Sequence, residues 1–324
     1  MSTSIAFSTD NKVFISESMG TLSDPDNLSK YRATIDATIS KFSPSKILCD
    51  LHPGYPSTRI ARELSEQNNI PLQQVQHHIA HAHSAAFEHS LTDFVGIAAD
   101  GMGYGTDGTI WGGEVFDNRK RVGSLEPQLQ LGGDSATQFP EKMLVSVLAN
   151  FLEQNEISKH VTLPQNDLSL LLQQREQQFN SPISTSTGRI LDAASALLGF
   201  CKQREYPGSP AIILEQNSTT PYDLEPVIQK KDRTLLLTTP IFEFLIENRD
   251  KDNSRLAATV QQYLAEGFYK IADRGKPIVF SGGCANNKIM AEYLSSKNVM
   301  TNKNVPPGDG GISLGQLCLA DSGD

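Results

Sequence analysis

The sequence predicts an α/β fold with two lobes and a cleft between them. Strand-like runs alternate with helical segments along the chain, which is typical of α/β architecture. The length of 324 residues exceeds the size at which one hydrophobic core usually keeps growing, which favours two lobes. Two glycine-rich turns, one in each half, indicate a ligand held between those lobes. We predict an N-terminal lobe over residues 1–117 and a C-terminal lobe over residues 118–324.

The elements of the N-terminal half follow from apolar alternation and turn residues. Helices are predicted at residues 28–42 and 59–67, the second with Ser57 as its cap. A histidine-rich helix comes next, and the first glycine-rich turn, DGMGYGTDG, then joins two strands. The polar segment STDNK predicts a turn between the first two strands, which would then form a hairpin. All strands predicted in this half are residues 4–7, 13–16, 46–49, 73–76, 94–99 and 109–116.

The C-terminal half is less regular at first. Residues 117–187 show little periodicity, and the polar, glutamine-rich stretch at 165–180 is interpreted as a peripheral excursion. A buried strand at 278–281 runs into the second glycine-rich turn, SGGCANN, and the chain ends in a turn that leads to an apolar helix, VPPGDGGISLGQLCLA. Helices are predicted at residues 189–200, 255–273 and 286–296.

Composition and charge exclude several classes of protein. With 28 Lys and Arg against 37 Asp and Glu, the formal charge of −9 disfavours nucleic acid as the main partner. No apolar stretch approaches the roughly 20 residues of a membrane span, and the start lacks the features of a signal peptide. The four cysteines are scattered without a CxxC pair, as expected for reduced thiols. We expect a soluble, cytoplasmic enzyme.

Five of the seven histidines fall in the segment QHHIAHAHSAAFEH. Residues four apart share one face of a helix, so His77 and His81 can direct their rings at one metal ion. Asp100 and Asp309, each beside glycines, are candidates to complete a mixed nitrogen and oxygen set, which suits Fe(II), Zn or Mn. The metalloprotease motif H-E-x-x-H is excluded, because no Glu follows the first His. The alternative is that these are ordinary surface or core histidines.

The other histidines of this segment point elsewhere on the helix if His77 and His81 face an ion. We predict that they have packing or supporting roles: His78, His83 and His89.

The second glycine-rich turn, residues 281–287, follows the apolar run PIVF. Glycines at a strand end let the backbone approach phosphates, and the N-terminus of the next helix favours negative charge. A bare structural turn is the alternative. The pair of turns favours a nucleotide between the lobes. Within this turn, Cys284 is predicted to pack rather than to react.

Six motifs carry a family resemblance: CDLHPGYPSTRIA, VQHHIAHAHSAAFEH, DGMGYGTDGTIWGGE, STSTGRILDAASALLG, SGGCANN and VPPGDGGISLGQ. In this order they resemble the C-terminal part of HypF, the carbamoyltransferase family of [NiFe]-hydrogenase maturation. That region is similar to the TsaD family and to antibiotic O-carbamoyltransferases. The resemblance runs from about residue 4 to residue 320. It implies the two-lobed actin/Hsp70/sugar-kinase-like (ASKHA) fold.

The resemblance also implies roles for individual residues. It implies one divalent ion, Fe or Zn, bound by His77, His81, Asp100 and Asp309. It implies that a bound carbamoyl-adenylate or adenine nucleotide contacts Gly188, Asp192, Gly282, Gly283 and Asn287. It places His52, Arg59, Thr106 and Asp107 at the reacting end as catalytic candidates. For His52 in DLHP, a rigid turn with a packed ring is the alternative.

The resemblance implies partners as well. The acceptor in the HypF pathway is the C-terminal Cys thiolate of HypE, so a HypE-like protein is the expected acceptor. The three units that precede this region in full HypF, including the YrdC-like unit that forms carbamoyl-adenylate, have no counterpart in the sequence. A separate YrdC-like protein is therefore expected. The chain also reads YPGSPA at 206–211 where the family has Y-E-G-Q-x-A.

Two alternative functions stay open. The segment AHAHSAAF also resembles the small-molecule O-carbamoyltransferases. The absence of an activation unit favours a non-catalytic, nucleotide-binding subunit of a larger maturation complex.

Overall fold

The computed structural model describes residues 3–10 and 12–320. Its strands are β1 (Ala6–Thr9), β2 (Lys12–Ile15), β3 (Ile47–Asp50), β4 (Leu72–Val75), β5 (Val95–Tyr104), β6 (Ile110–Asp117), β7 (Lys120–Leu125), β8 (Gln128–Leu129), β9 (Ile183–Ser184), β10 (Ile228–Lys230), β11 (Thr234–Leu236), β12 (Ile278–Ser281) and β13 (Met300–Thr301).

The α-helices are α1 (Pro25–Phe42), α2 (Pro56–Asn68), α3 (His77–Glu88), α4 (Ser135–Gln138), α5 (Pro140–Leu148), α6 (Gln154–Ile157), α7 (Gln165–Gln177), α8 (Thr187–Leu197), α9 (Ser209–Gln216), α10 (Thr239–Glu247), α11 (Asn253–Ala272), α12 (Lys288–Ser296) and α13 (Ile312–Leu317). Two short 3-10 helices span Gly283–Asn286 and Asp309–Gly311.

The main sheet has its central strands in the order β7-β6-β5-β12-β13. The first three strands are antiparallel neighbours, whereas β5, β12 and β13 run parallel. β11 extends this sheet beside β7, with β10 at its edge. A large apolar core lies between the sheet and the helices α5, α8 and α11. This lobe contains most of the buried apolar residues of the described part of the chain.

The first part of the chain forms two smaller sheets. β1 and β2 pair as an antiparallel hairpin, and β3 and β4 pair in parallel. A separate small core formed by side chains of α1, α2 and the segment before α1 packs beneath them. The predicted hairpin is confirmed, although Asn11 of its turn lies outside the described residues, as do residues 1–2 and 321–324.

The helices α3 and α13 join the two lobes. They pack against each other, while α3 also lies on β5 and β12, and α13 lies on β1 and β3. Gly315 allows this crossing, since a Cβ at that position would lie 1.8 Å from the carbonyl oxygen of Ala80. The lobes therefore meet at these two helices, which pack on each other and on strands of the opposite lobe.

We expect Gly315→Ala to destabilise the protein, because the added methyl group forces α13 away from α3. Overpacking of this kind typically lowers the free energy of unfolding by about 1–3 kcal/mol. Chemical denaturation measures the change, and Gly101→Ala is the matched control, because a Cβ at Gly101 meets nothing within 4 Å. Equal denaturation midpoints for the two variants would show that the helix crossing tolerates the methyl group.

The predicted division at residues 117 and 118 falls between β6 and β7. These strands are hydrogen-bonded neighbours in the main sheet. We therefore propose that the lobes divide between α3 and β5.

Three local expectations differ from the structure. Ser57 lies inside α2, whose N-cap is Tyr55 without a side-chain hydrogen bond, because Pro56 already starts the helix. Asp100 lies within β5 rather than in a turn after it, because the strand continues past an irregularity between Ala99 and Gly103. The stretch at 165–180 is mostly the helix α7, which buries two leucines in the main core.

No helix in the described part of the chain combines the length and apolarity needed to cross a bilayer.

Candidate metal and nucleotide site

The start of α3 brings two histidines to the cleft between the lobes. The side chain of Gln76 caps the helix by accepting a hydrogen bond from the Ile79 N–H at 2.9 Å. His77 and His81 are one turn apart, and both side chains are buried. The irregularity in β5 supplies Asp100, and the 3-10 helix before α13 supplies Asp309. Three elements from both lobes therefore converge on one point.

The four predicted ligands lie together. His77 Nε2 is 3.3 Å from Asp100 Oδ2 and 3.7 Å from Asp309 Oδ1, and His81 Nε2 is 3.8 and 3.9 Å from the same oxygens. One ligand atom from each residue lies within 4.8 Å of the others. Among the described residues, neither Nε2 atom has a partner with hydrogen-bond geometry, although both are buried. Two imidazole nitrogens and two carboxylate oxygens suit a divalent cation such as Fe(II), Zn or Mn.

The electrostatics of the cluster favour a cation. Burial alone would lower the pKa of His77, but Asp100 and Asp50 on either side hold it well above its ordinary value. Burial, with the charge of His77, lowers the pKa of His81 to about 4, so that its ring is neutral. Burial and then the charge of Asp100 raise the pKa of Asp309 to about 6. A cation among these atoms would relieve the repulsion between the carboxylates.

Asp50 orients His77. The Nδ1–H of His77 donates to Asp50 Oδ2 at 2.7 Å, which leaves Nε2 directed at the cluster. The other oxygen, Oδ1, accepts the backbone N–H of His52 at 2.8 Å. Such a carboxylate partner fixes the ring and increases its basicity as a ligand. Asp50 is absent from the predicted site residues, and its position as the last residue of β3 is the only sequence signal that points to it.

We expect Asp50→Ala to weaken metal binding by roughly 10–100-fold, which is typical when the partner of a ligating histidine is lost. The Asp50→Asn variant is the control, because its amide oxygen can still accept the Nδ1–H of His77. Titration with Zn²⁺ against a chromogenic chelator gives both affinities. If the Ala and Asn variants bind as tightly as the unaltered protein, Asp50 does not position His77.

The remaining histidines of α3 contribute no atom to the four-residue cluster. His78 Nδ1 lies 3.1 Å from Gln76 Nε2, and the His83 ring packs edge-on against Phe94. His89 Nε2 donates to the carbonyl oxygen of Thr301 at 2.8 Å, which ties α3 to β13.

His52 lies beside the cluster in the DLHP turn. Its ring stacks on Tyr55 at a centroid distance of 4.3 Å, and the Tyr55 ring meets the edge of His77 at 6.5 Å. His52 Nδ1 accepts the Gly54 N–H at 3.1 Å. Because Nδ1 accepts this hydrogen bond, Nε2 is the ring nitrogen left to donate.

Asp107 is held in a turn between β5 and β6. Its Oδ1 accepts hydrogen bonds from Thr109 and from Trp111 Nε1, and its Oδ2 pairs with Arg121 at 2.9 Å. These contacts give Asp107 a clear role in stabilising the turn. Of the other two residues predicted at the reacting end, Thr106 is exposed in this turn and Arg59 is exposed on α2.

The second glycine-rich turn touches the metal cluster directly. Gly282 has φ +99°, and a Cβ there would lie 2.2 Å from the carbonyl oxygen of Ala99. The Gly283 N–H donates to Asp100 Oδ1 at 3.0 Å, and the Gly282 N–H donates to the carbonyl oxygen of Pro307 at 2.8 Å. These two amides thus hold the turn in place, and the glycines provide space rather than donors. Burial raises the pKa of the Cys284 thiol, which disfavours a nucleophilic role.

Helix α8 packs on β5, the strand that carries Asp100. Gly188 lies against Gly101 of β5, and Asp192 is buried in a pair with Arg189, a residue that sequence reasoning missed. Asn287 caps α12 and also donates to Gln261, so both of its polar groups are engaged. Several buried polar atoms of α8 have no partner among the described residues: Thr187 Oγ1, Arg189 Nε, Asp192 Oδ1 and Ser195 Oγ. Such atoms mark a place where a polar ligand or water is expected.

The chain resembles known proteins over most of its length. Two family descriptions match the chain: "HypF Kae1-like domain" over residues 1–88 and "Carbamoyltransferase, Kae1-like Domain, second subdomain" over residues 96–316. The probable carbamoyltransferase HypF of Methanocaldococcus jannaschii is 36% identical over 94% of this chain and 43% of its own length.

Two solved structures are also similar. One is full-length HypF in the phosphate- and nucleotide-bound form, with a TM-score of 0.83 and 29% identity over 95% of this chain and 43% of that one. The other is T. kodakarensis HypF, with a TM-score of 0.88 and 27% identity over 97% and 45%. The chain thus spans less than half the length of these proteins. The two-lobed ASKHA-type α/β fold expected from the sequence is confirmed.

Proposed function

The chain belongs to the HypF carbamoyltransferase family, and we propose that it moves a carbamoyl group from carbamoyl-adenylate to an acceptor. The observation that carries this proposal is the contact between the four-residue cluster and the second glycine-rich turn. Through the bond from Gly283 to Asp100, a group that binds cations and a turn suited to phosphate form one site. A similar full-length HypF has been solved in a phosphate- and nucleotide-bound form, which supports a nucleotide as a ligand of this kind of protein.

The reaction is a substitution at the carbonyl carbon of a mixed anhydride. The acceptor nucleophile forms a bond to that carbon, the bond from carbon to the phosphate oxygen breaks, and AMP leaves with the electron pair. A divalent ion held by His77, His81, Asp100 and Asp309 would supply Lewis-acid stabilisation of negative charge on the leaving phosphate. No covalent intermediate on the chain is needed.

The chain's own residues orient and shield the reacting group. Asp50 holds His77 in position, and the stacked His52 and Tyr55 form the wall of the cleft next to it. The Nε2–H of His52 is available to donate to a carbonyl or phosphate oxygen. The unpartnered polar atoms of α8, which packs on β5, are suited to the ribose and base of the nucleotide. The substrate is thus held between the lobes with its anhydride at the cluster.

The acceptor we propose is the C-terminal Cys thiolate of a HypE-like protein. A thiolate is a strong nucleophile and needs no base once deprotonated. The proposed source of carbamoyl-adenylate is a YrdC-like protein, since the groups of this cleft are suited to expelling AMP.

This division of labour is testable with a synthetic tail peptide that ends in cysteine. With ATP and carbamoyl phosphate alone, we expect no carbamoylation of the tail. With carbamoyl-adenylate supplied by a YrdC-like protein, we expect the tail to gain the mass of one carbamoyl group in a mass spectrum. A tail with Cys→Ser is the control and should react far less, because a hydroxyl is the weaker nucleophile.

Three other outcomes of this experiment would refute the division of labour or favour a different function. Carbamoylation from ATP and carbamoyl phosphate by this chain alone would refute the division. No transfer from the supplied intermediate would favour a non-catalytic, nucleotide-binding subunit. Consumption of the intermediate with a small hydroxyl compound, but not with the tail, would favour an O-carbamoyltransferase.

A further inference from the structure

Glu114 is a fully buried carboxylate in the middle of β6. A buried carboxylate is tolerated only when its charge is paired and its oxygens accept hydrogen bonds. Arg121 of β7 supplies the opposite charge, since its Nε–H donates to Glu114 Oε2 at 2.6 Å. The other oxygen, Oε1, accepts a hydrogen bond from the hydroxyl of Thr185. The two oxygens of Glu114 thus connect β6 to a neighbouring strand and to the residue that lies between β9 and α8.

Arg121 holds this carboxylate in one place. Its Cζ lies 3.9 Å from the centre of the Trp111 ring, so the guanidinium is stacked on the indole. Its Nη1–H donates to Asp107 Oδ2 at 2.9 Å, and Trp111 Nε1 donates to the other oxygen of Asp107 at 2.9 Å. A planar guanidinium can bond two carboxylates and stack on a ring at the same time. The side chain of Glu114 is therefore fixed relative to the turn between β5 and β6.

Thr185 ties the entry of α8 to this carboxylate. Its backbone N–H donates to the carbonyl oxygen of Ile110 in β6 at 2.9 Å, and its hydroxyl donates to Glu114. Gly113 allows the close approach, because a Cβ at that position would lie 2.7 Å from the carbonyl oxygen of Thr185. Hydrogen bonds to an ionised acceptor are stronger than those between neutral groups. The segment that enters α8 is therefore held on β6 by a backbone bond and by a bond to a buried charge.

The next residue, Ser186, links α8 to the strand that carries Asp100. Ser186 is the N-cap of α8, where its Oγ accepts the Arg189 N–H at 3.1 Å. The Ser186 hydroxyl donates to the carbonyl oxygen of Gly101, the residue after Asp100. A Cβ at Gly112 would lie 2.8 Å from the carbonyl oxygen of Asp100 and 2.9 Å from the Cα of Ser186. The start of α8 and the backbone at Asp100 are thus in direct contact.

We propose that Glu114 is a positioning residue of the nucleotide site and that it acts through Thr185. By fixing the first turn of α8 beside Asp100, it sets the polar groups of α8 at a defined position relative to the metal cluster. A buried ion pair contributes little net stability compared with apolar side chains of the same volume, so stability alone does not explain the pair of Glu114 and Arg121. The pair lies where the elements proposed to hold the phosphate and the ribose meet. This inference rests on the nucleotide part of the proposed function and is independent of the acceptor.

Thr185→Val tests the link, because valine has the shape of threonine but no hydroxyl to donate to Glu114. We expect calorimetry on the metal-loaded variant to show roughly 10-fold weaker binding of ATP, the scale of one lost hydrogen bond to a charged group. Titration with Zn²⁺ in the absence of ATP should give an unchanged affinity, because the four ligands and Asp50 are untouched. Thr185→Ser keeps the hydroxyl and should bind ATP as the unaltered protein does.

Thr238→Val is the matched control. Thr238 is also buried in the same lobe, and its hydroxyl donates to a glutamate, Glu126, at 3.2 Å. This pair lies at the start of α10 and supplies no atom to the metal cluster. We expect both valine variants to lose a similar amount of thermal stability, and only Thr185→Val to lose affinity for ATP. A folded Thr185→Val protein that binds ATP as tightly as Thr238→Val would show that Glu114 has only a structural role and would overturn the proposal.

Hydrogen exchange without nucleotide separates this inference from the proposed function. The amide of Arg189, which donates to Ser186, is expected to exchange faster in Thr185→Val than in Thr238→Val, because the first turn of α8 is held less firmly. Equal exchange in the two variants would overturn the positioning of α8 by Glu114. Faster exchange and weaker ATP binding in Thr185→Val, in a protein that transfers no carbamoyl group, would refute the proposed reaction and support the positioning role.

Discussion

Replacing both His77 and His81 with alanine is expected to remove the metal ion from the protein. The two Nε2 atoms supply half of the cluster, and the remaining Asp100 and Asp309 are carboxylates that repel each other in a buried place. Loss of two of four ligands leaves no site of useful affinity for Fe(II), Zn or Mn. Elemental analysis of the purified variant measures the ratio of metal to protein directly, independently of any activity.

His83→Ala is the matched control for this double change. His83 lies on the same helix, but its ring packs against Phe94 and supplies no atom to the cluster. We expect full metal occupancy in this variant. Full occupancy in the double variant as well would move the metal site away from α3 and would contradict the assignment of all four ligands.

The second large effect is expected from Gly283→Val, which should abolish measurable binding of adenine nucleotides. A Cβ at this position would lie 2.7 Å from Asp100 Oδ1 and would break the hydrogen bond that holds the carboxylate to the turn. The branched side chain would also fill the space through which a phosphate approaches the cluster. Calorimetry with ATP, ADP and a stable analogue of carbamoyl-adenylate gives the affinities of the metal-loaded protein.

Thermal unfolding of Gly283→Val controls for a general loss of structure. The glycine lies at the surface of the cleft and not in the main apolar core, so the unfolding temperature should stay close to that of the unaltered protein. Unchanged nucleotide affinity in a folded Gly283→Val protein would place the nucleotide elsewhere on the chain.

Local patterns in the sequence predict the parts of the site that depend on neighbours along the chain. The spacing of His77 and His81 predicts their common face, because both lie on one helix and need only its pitch. The hairpin, most of the longer helices and the buried strand before the second glycine-rich turn are predicted for the same reason. The glycines beside Asp100 and Asp309 identify both residues as candidate ligands. The turn predicted around Asp100 is wrong, because this residue lies within β5.

Long-range pairing explains what the sequence could not predict. β5 continues past Asp100 because it pairs with β6 on both sides of the irregularity. The glycines of this segment favour a turn, so local composition does not predict that pairing. Asp50 acts on His77 across 27 positions of the chain, and no local pattern links the two residues. The polar composition of α7 hides a helix that is held in place by two buried leucines. In each case a tertiary contact decides a feature that local composition leaves open.

We expect the four-residue cluster and the glycine-rich turn to bind metal and nucleotide phosphate as one site. The most direct test loads the protein with Mn²⁺, which suits the same mixed set of ligands, and records electron–nuclear double resonance with and without ATP. We predict nitrogen couplings from two histidines in both samples and a ³¹P coupling only when ATP is present. Saturated Mn²⁺ and ATP sites without a ³¹P coupling would show that the metal and the phosphate bind at separate places.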